Sequence, residues 1–279
     1  MQPPTGPVLV EIGPLVVYWY GFLIATGIVM GARVATYLTE RGGENPEIIW
    51  DMMIPVVLAA IIGARLYHVF STPEAGLLGW PYYRENPAQI FAIWDGGLGF
   101  YGALVGGAVG VAIFAYFRNL RLLQWFDFLA PGMAIGQSIG RWGNYMNREL
   151  YGTPTDLPWG LEIPPQHRIP PYNDLGQYPQ GTLFHPTFFY ESLAALLICV
   201  ALVLIADRYR RRLRYGDIFF LYLMSSAVVR FLVEYLRPDA WILGPLAAAQ
   251  VFAIGFFVLG GAIMVGRRLV DSGGGERER

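Results

Sequence analysis

The run Gly-Arg-Trp-Gly-Asn-Tyr-Met-Asn-Arg-Glu-Leu-Tyr-Gly from Gly140 to Gly152 places Arg141, Asn144 and Glu149 at the end of an apolar stretch. A second ionisable pair, Arg230 and Glu234, lies inside another apolar segment, four residues apart and so on one helical face. Charge in hydrocarbon is expensive, so it marks a site. A private ion pair would lower the cost of inserting Arg230 and Glu234, but it leaves Arg141 unexplained. Surplus guanidinium invites an external anion, and arginine offers planar, bidentate donors suited to phosphate. At the outer leaflet of a plasma membrane the abundant phosphate-bearing ligand is a phospholipid.

The elements that must hold these residues are membrane helices. The chain is 54% hydrophobic and 15% charged, with a mean hydropathy of +0.40. Its apolar runs are long enough to cross a bilayer, and 279 residues accommodate about seven of them with modest loops. The expected class is an all-α integral membrane protein of about seven transmembrane helices. Spans are expected near 15–38, 48–70, 97–117, 123–140, 187–206, 216–236 and 243–266. Arg118 and Arg121 follow the third span, Arg208, Arg210, Arg211, Arg212 and Arg214 the fifth, and Arg267 and Arg268 the seventh. By the positive-inside rule those ends are cytoplasmic, which puts the N-terminus outside and the C-terminus in the cytoplasm. The first segment lacks the basic flank and cleavage site of a signal peptide and is read as a retained helix.

The Pro-, Gly-, Tyr- and Asn-rich segment 141–186 then faces outward and reads as a small external head subdomain. Residues 1–270 form one polytopic domain, and 271–279 read as a disordered cytoplasmic tail. Arg230 lies about 14 residues, roughly 21 Å, into a hydrocarbon path of about 30 Å. Arg65 near the end of the second span, Arg141, and Tyr20 and Tyr101 in the entry turns of the first and third spans are expected at the same outer depth.

Other features carry less chemistry. Gly102, Gly106 and Gly110 form one ladder at four-residue spacing, and Gly132, Gly136 and Gly140 another, both suited to close helix approach. Gly136-Gln137-Ser138-Ile139-Gly140 spells G-x-S-x-G, but within a helical glycine ladder rather than the strand-to-helix turn a nucleophile needs. His68, His167 and His185 have no metal-ligand spacing, so no metal is expected. His185 precedes Pro186 and Thr187 at a helix start and reads as a cap or loop tether. All 20 basic residues are arginine, which excludes Schiff-base and P-loop lysine chemistry. The one cysteine, Cys199, lies among Leu, Ile and Val and reads as a packing or lipid-facing residue.

The 140–152 run, followed by Pro158-Trp159-Gly160, resembles the signature of the phosphatidylglycerol–prolipoprotein diacylglyceryl transferases. Supporting blocks stand in order: Trp19-Tyr20-Gly21, Gly63-Ala64-Arg65, Trp94-Asp95-Gly96-Gly97, His185-Pro186-Thr187 with Tyr190-Glu191, and Arg230 to Glu234 with Arg237-Pro238-Asp239. The resemblance covers nearly the whole chain from Ile12 to about Arg268.

It implies a bacterial inner-membrane enzyme with its active site toward the outer leaflet and no cofactor. Such an enzyme transfers the diacylglyceryl group of phosphatidylglycerol to the lipobox cysteine of a prolipoprotein signal peptide, giving a thioether and glycerol phosphate. Its partners are membrane lipids and that peptide, not nucleic acid. On this reading Arg141 and Arg230 stabilise the departing phosphate, and Asn144 holds the head group or lipid ester. Glu234 orients Arg230, Glu149 with Gly152 shapes the external mouth, and Tyr20 hydrogen-bonds the lipid. Arg65 and His185 complete the substrate-binding set. Where several family members carry a histidine proposed as base, this chain has Tyr101. A phenol with a pKa near 10 is a poor base at neutral pH, so ionisation of the substrate thiol assisted by the arginines is favoured, with His185 a weaker substitute. A seven-span receptor or transporter would not require this constellation. A signal-peptide protease would need a serine with a base at matching depth, or facing aspartates.

Overall fold

The computed structural model describes residues 1, 6–13, 15–71, 79–238 and 240–274. A strand β1 (Val8–Ile12) pairs antiparallel with β2 (Leu15–Tyr18), and α1 (Trp19–Gly42) follows directly. Next come α2 (Glu47–Phe70), the short α3 (Trp80–Glu85), two 3-10 turns over Pro87–Phe91 and Ile93–Asp95, and α4 (Phe100–Phe117). The long α5 (Leu122–Asn147) leads into β3 (Leu161–Glu162) and β4 (Leu183–Phe184), an antiparallel pair, and then α6 (Thr187–Tyr209). The chain ends with α7 (Asp217–Glu234), the pair β5 (Ile242–Leu243) and β6 (Leu246–Ala247), and α8 (Ala248–Gly274).

The protein is mostly helical. Five helices, α1, α2, α4, α6 and α8, are long and apolar enough to cross a membrane by length and composition. The expected segments 123–140 and 216–236 form α5 and α7, which fall short of that standard. The reason is in their sequences: α5 carries Asp127, Gln137, Arg141 and Asn144, and α7 carries Asp217, Arg230 and Glu234. Three boundaries also differ from expectation. Residues 15–18 and 242–247 form hairpin strands rather than the first turns of helices, because Gly13 (φ 59°) and Gly244 (φ 68°) sit in left-handed turns that reverse the chain. The fourth helix runs on to Asn147, so Arg141 and Asn144 belong to its last two turns. Helix α8 is helical through Gly274, and 275–279 of the expected tail lie outside the described residues, as does Asp239.

Backbone contacts divide the chain into two compact units, Met1–Leu38 with Phe126–Arg279, and Thr39–Trp125. In the second, α2 and α4 approach through glycines: a Cβ on Gly63 would lie 2.8 Å from Gly106 Cα, so only hydrogen fits there. In the first, the other ladder serves α1, where a Cβ on Gly31 would lie 2.7 Å from the carbonyl oxygen of Gly132. Helix α6 buries Phe188, Glu191, Ala195, Cys199 and Leu202 along one stripe, while Leu193, Leu197, Val200 and Leu204 stand exposed along the other. An apolar stripe of that length facing outward suits lipid rather than water. Cys199 packs with Ala130, Ala134 and Ile218, which settles it as a core residue. Tyr151, Leu161, Ile163 and Phe184, between α5 and α6, form a small separate core with Phe188 of α6. Ser138 of the G-x-S-x-G lookalike lies mid-helix, its hydroxyl 3.2 Å from that of Ser192.

Candidate active site

The site is built where α5, α6 and α7 end or begin. Arg141 is on the penultimate turn of α5, Glu191 on the second turn of α6, and Arg230 and Glu234 on the last two turns of α7. Arg141 Nη2 lies 3.1 Å from Glu191 Oε1, and Arg230 Nη1 lies 3.8 Å from the same oxygen. Arg230 Nη2 meets Glu234 Oε2 at 2.6 Å, an ion pair by proximity in which the N–H direction misses the oxygen. Arg141 Nη1 donates to Asn144 Oδ1 at 3.4 Å. The Asn144 amide in turn donates to Glu149 Oε1 at 2.8 Å, and the backbone N–H of Glu149 donates back to the Asn144 carbonyl at 3.0 Å. The result is one polar chain: Glu149, Asn144, Arg141, Glu191, Arg230, Glu234.

Glu191 corrects the expectation of surplus guanidinium. Both arginines have carboxylate partners, and Glu191, the residue that joins them, lies outside the set of site residues expected from the sequence. A carboxylate held against two guanidiniums cancels their mutual repulsion and allows both to sit at one place. The side chains of Glu191 and Glu234 are only 3% and 4% exposed, whereas those of Arg141 and Arg230 are 19% and 32% exposed. The glutamates therefore hold the guanidiniums from the buried side and leave their outer edges open. That arrangement suits an anion arriving from outside better than two unpaired cations would, because unpaired buried charge is strongly destabilising.

The loop after α5 is fixed by close packing. Arg148 and Leu150 adopt left-handed backbone, with φ of 58° and 56°. Gly152 donates its N–H to the His185 carbonyl at 2.8 Å, and a Cβ there would lie 2.7 Å from His185 Cβ. The Thr187 hydroxyl donates to the Leu150 carbonyl. The imidazole Nδ1 of His185 lies 3.2 Å from the Tyr190 hydroxyl, which accepts from the Trp159 indole at 3.1 Å. Gly152 and His185 are thus brought together as a tether for the loop that carries Glu149. Tyr20 lays its ring on Gly143, where a Cβ would lie 2.6 Å from the ring. Its hydroxyl is within electrostatic reach of Arg141 and Glu149 and donates to none of the described residues.

Arg65 and Tyr101 belong to the other unit. Arg65 Nε donates to the Ile90 carbonyl at 2.9 Å. Nη1 donates to Gly96 and Gly97 at 2.7 and 3.0 Å, and Nη2 to Gln89 and Ala92 at 2.5 and 3.2 Å. A guanidinium has five N–H donors, and five backbone carbonyls occupy them. The substrate-binding role expected of Arg65 finds no free donor; the side chain instead holds the 89–97 segment in front of α4. Lys at this position has one nitrogen to serve five acceptors, so Arg65→Lys should raise amide hydrogen exchange across 89–99 by at least about tenfold, one charged hydrogen bond's worth. Exchange at the native rate would show that the segment holds itself. Tyr101 is 59% exposed, its ring 6.0 Å from Tyr67 and 5.8 Å from Phe100. No described residue accepts from or donates to its hydroxyl. Gly97, at φ 74°, brings its backbone against His68, where a Cβ would lie 2.6 Å from Nε2. Among the described residues no three His, Cys, Asp or Glu side chains converge in a way that could hold a metal ion.

Residues 7–266 match the family model described as prolipoprotein diacylglyceryl transferase. The chain is 41% identical over 258 residues to the phosphatidylglycerol–prolipoprotein diacylglyceryl transferase of Trichormus variabilis, covering 91% of this chain and 87% of that protein. To the enzyme of the same name from Synechococcus elongatus it is 42% identical, over 91% of this chain and 86% of the relative. To that from Bacillus cereus it is 38% identical, over 95% and 93%. A match of this extent, enclosing every residue of the polar chain from Arg141 to Glu234, decides the matter: the chain belongs to the prolipoprotein diacylglyceryl transferase family.

Proposed function

We propose that this transferase takes the diacylglyceryl group of phosphatidylglycerol at the outer leaflet of a bacterial inner membrane and places it on the lipobox cysteine of a prolipoprotein. The observation that carries the reading is the pair of guanidiniums joined through Glu191 with their outer edges open. Helices α1, α2, α4, α5, α6, α7 and α8 are the seven spans. The arginine-rich ends after α4 and α6 and near the end of α8 face the cytoplasm. Arg141, Arg230 and Tyr20 then lie toward the outer leaflet, and both substrates reach them laterally from the bilayer.

The chemistry accounts for the residues. The cysteine sulfur attacks the glyceryl carbon that bears the phosphate ester, a C–S bond forms, and the C–O bond to phosphate breaks. The phosphodiester, with one negative charge, leaves as a glycerol phosphate monoester with two. Stabilisation that grows as that charge develops accelerates the step, and Arg141 and Arg230 supply it. Asn144, held by Glu149, keeps Arg141 from turning away, and Glu234 does the same for Arg230. Tyr20, whose hydroxyl donates to none of the described residues, donates to the lipid. The thiol proton leaves through ionisation beside the two cations. Incubating a lipobox peptide with phosphatidylglycerol and the purified protein should give a diacylglyceryl mass gain by mass spectrometry. Cleavage of the peptide, or no change, would refute the reading.

Among the described residues of its unit no base or cation lies on the Tyr101 hydroxyl, so it serves as packing or a single neutral hydrogen bond. Tyr101→Phe should keep at least about a tenth of the activity, since such a bond is worth about 0.5–1.5 kcal/mol. The rate should rise with pH to a plateau below about 8.5, the substrate thiol's ordinary pKa, in both proteins. A hundredfold loss together with disappearance of that pH limb would make Tyr101 the base.

A further inference from the structure

Polar side chains continue from the arginines toward the middle of the same two helices. On α5, Gln137 precedes Arg141 by one turn; on α7, Ser226 precedes Arg230 by one turn and Tyr222 by two. Tyr222, Ser226, Arg230 and Glu234 therefore share one face of α7, and Gln137 shares a face with Arg141. The two stripes meet where the Tyr222 hydroxyl donates to Gln137 Oε1 at 3.4 Å. Ser226 Oγ is buried beside the Tyr222 hydroxyl, yet no group among the described residues meets it in hydrogen-bond geometry. The amide nitrogen of Gln137 donates to none of the described residues. One long bond is poor repayment for three polar groups at this depth, where interhelical hydrogen bonds contribute little and unspent donors are costly.

The unspent groups are donors, and their depth relative to the arginines is set by helix geometry. Four residues rise about 6 Å. Half the difference between the ~30 Å hydrocarbon core and the ~40–45 Å full bilayer is about 5–7.5 Å, which is the depth over which a phospholipid passes from phosphate to acyl chain. The groups lying there are the acyl esters, whose carbonyls accept hydrogen bonds and donate none. We propose that Gln137 and Ser226, each one turn deeper than its arginine, form a subsite for the ester carbonyls of the lipid whose phosphate lies at Arg141 and Arg230, with the Tyr222 hydroxyl holding Gln137 by its Oε1. This rests on the reading of that site as the lipid site. Anchored at phosphate below the head group and at ester above the chains, the glyceryl carbon between them is held in line for attack.

The test compares diacyl phosphatidylglycerol with its dialkyl ether analogue, which has the same charge and chains but no carbonyls. The full-length wild-type protein should favour the diester by about tenfold in kcat/KM. Gln137→Leu and Ser226→Ala should each reduce that ratio about three- to tenfold, the worth of one hydrogen bond. Thermal midpoints in detergent establish that each variant is folded, and Gln137→Met replaces Gln137→Leu if the latter is not. Equal rates on the two lipids in wild type, or variants that lower both lipids in proportion, would overturn the subsite. Failure of wild type on both lipids would instead refute the transfer reading itself.

Discussion

Arg141→Lys and Arg230→Lys should each lower kcat/KM by about a hundredfold or more, at least about 2.7 kcal/mol of transition-state stabilisation, with membrane insertion preserved. The charge stays; the geometry goes. Arg141 uses one terminal nitrogen on Glu191 and the other on Asn144, at 3.1 and 3.4 Å, and still turns an outer edge toward incoming anion. An ammonium group is a single point that can satisfy the glutamate or meet a phosphate oxygen, but it has no fork with which to do both. Arg230 is under the same demand, with Glu191 and Glu234 on separate nitrogens. Because both Lys variants can keep one ion pair to Glu191, fluorescence-detected size exclusion should show a native elution profile. Wild-type turnover in either variant would dismiss the phosphate clamp.

Glu191→Leu should cost about 3–5 kcal/mol of stability, the usual penalty for stripping the partner from a buried ion pair. At 3% exposure the carboxylate has no water to be replaced by, and its removal leaves two guanidiniums facing each other. Glu191→Gln keeps the shape and an acceptor oxygen but not the charge. It should melt closer to wild type while losing at least about tenfold in activity, because Arg141 and Arg230 drift apart when their repulsion is no longer cancelled. The measurements are the thermal midpoint in detergent and the transfer rate. A Glu191→Leu protein that melts with wild type would mean the two arginines are held by other contacts.

The helices were legible in the sequence where the apolar runs were long. Runs of twenty apolar residues have little alternative to a membrane helix, and α2, α4 and α6 lie close to the expected segments. The hairpins at 8–18 and 242–247 escaped because two- to five-residue strands of Val, Leu and Ile add to a hydropathy window just as a helical turn does. Only the left-handed glycines at 13 and 244 hinted at them.

The same division runs through the site. Arg230 with Glu234, and Arg141 with Asn144, were legible because partners four and three residues apart on a helix must share a face. Charge in apolar sequence likewise announced itself by its cost. The Glu191 bridge was not legible, since its partners lie 50 residues before it and 39 after it, on other helices, and which turn of α6 faces them depends on how the helices pack. Arg65 looked from its type and depth like a member of the substrate-binding set; five backbone carbonyls brought around it by the 89–97 turns occupy its donors instead. The sequence by itself determined which side chains are too costly to be idle and which local pairs they form. Only the tertiary structure decided which of them are already satisfied by protein and which still have donors to offer, because satisfaction is a matter of distances between segments that the chain order does not contain.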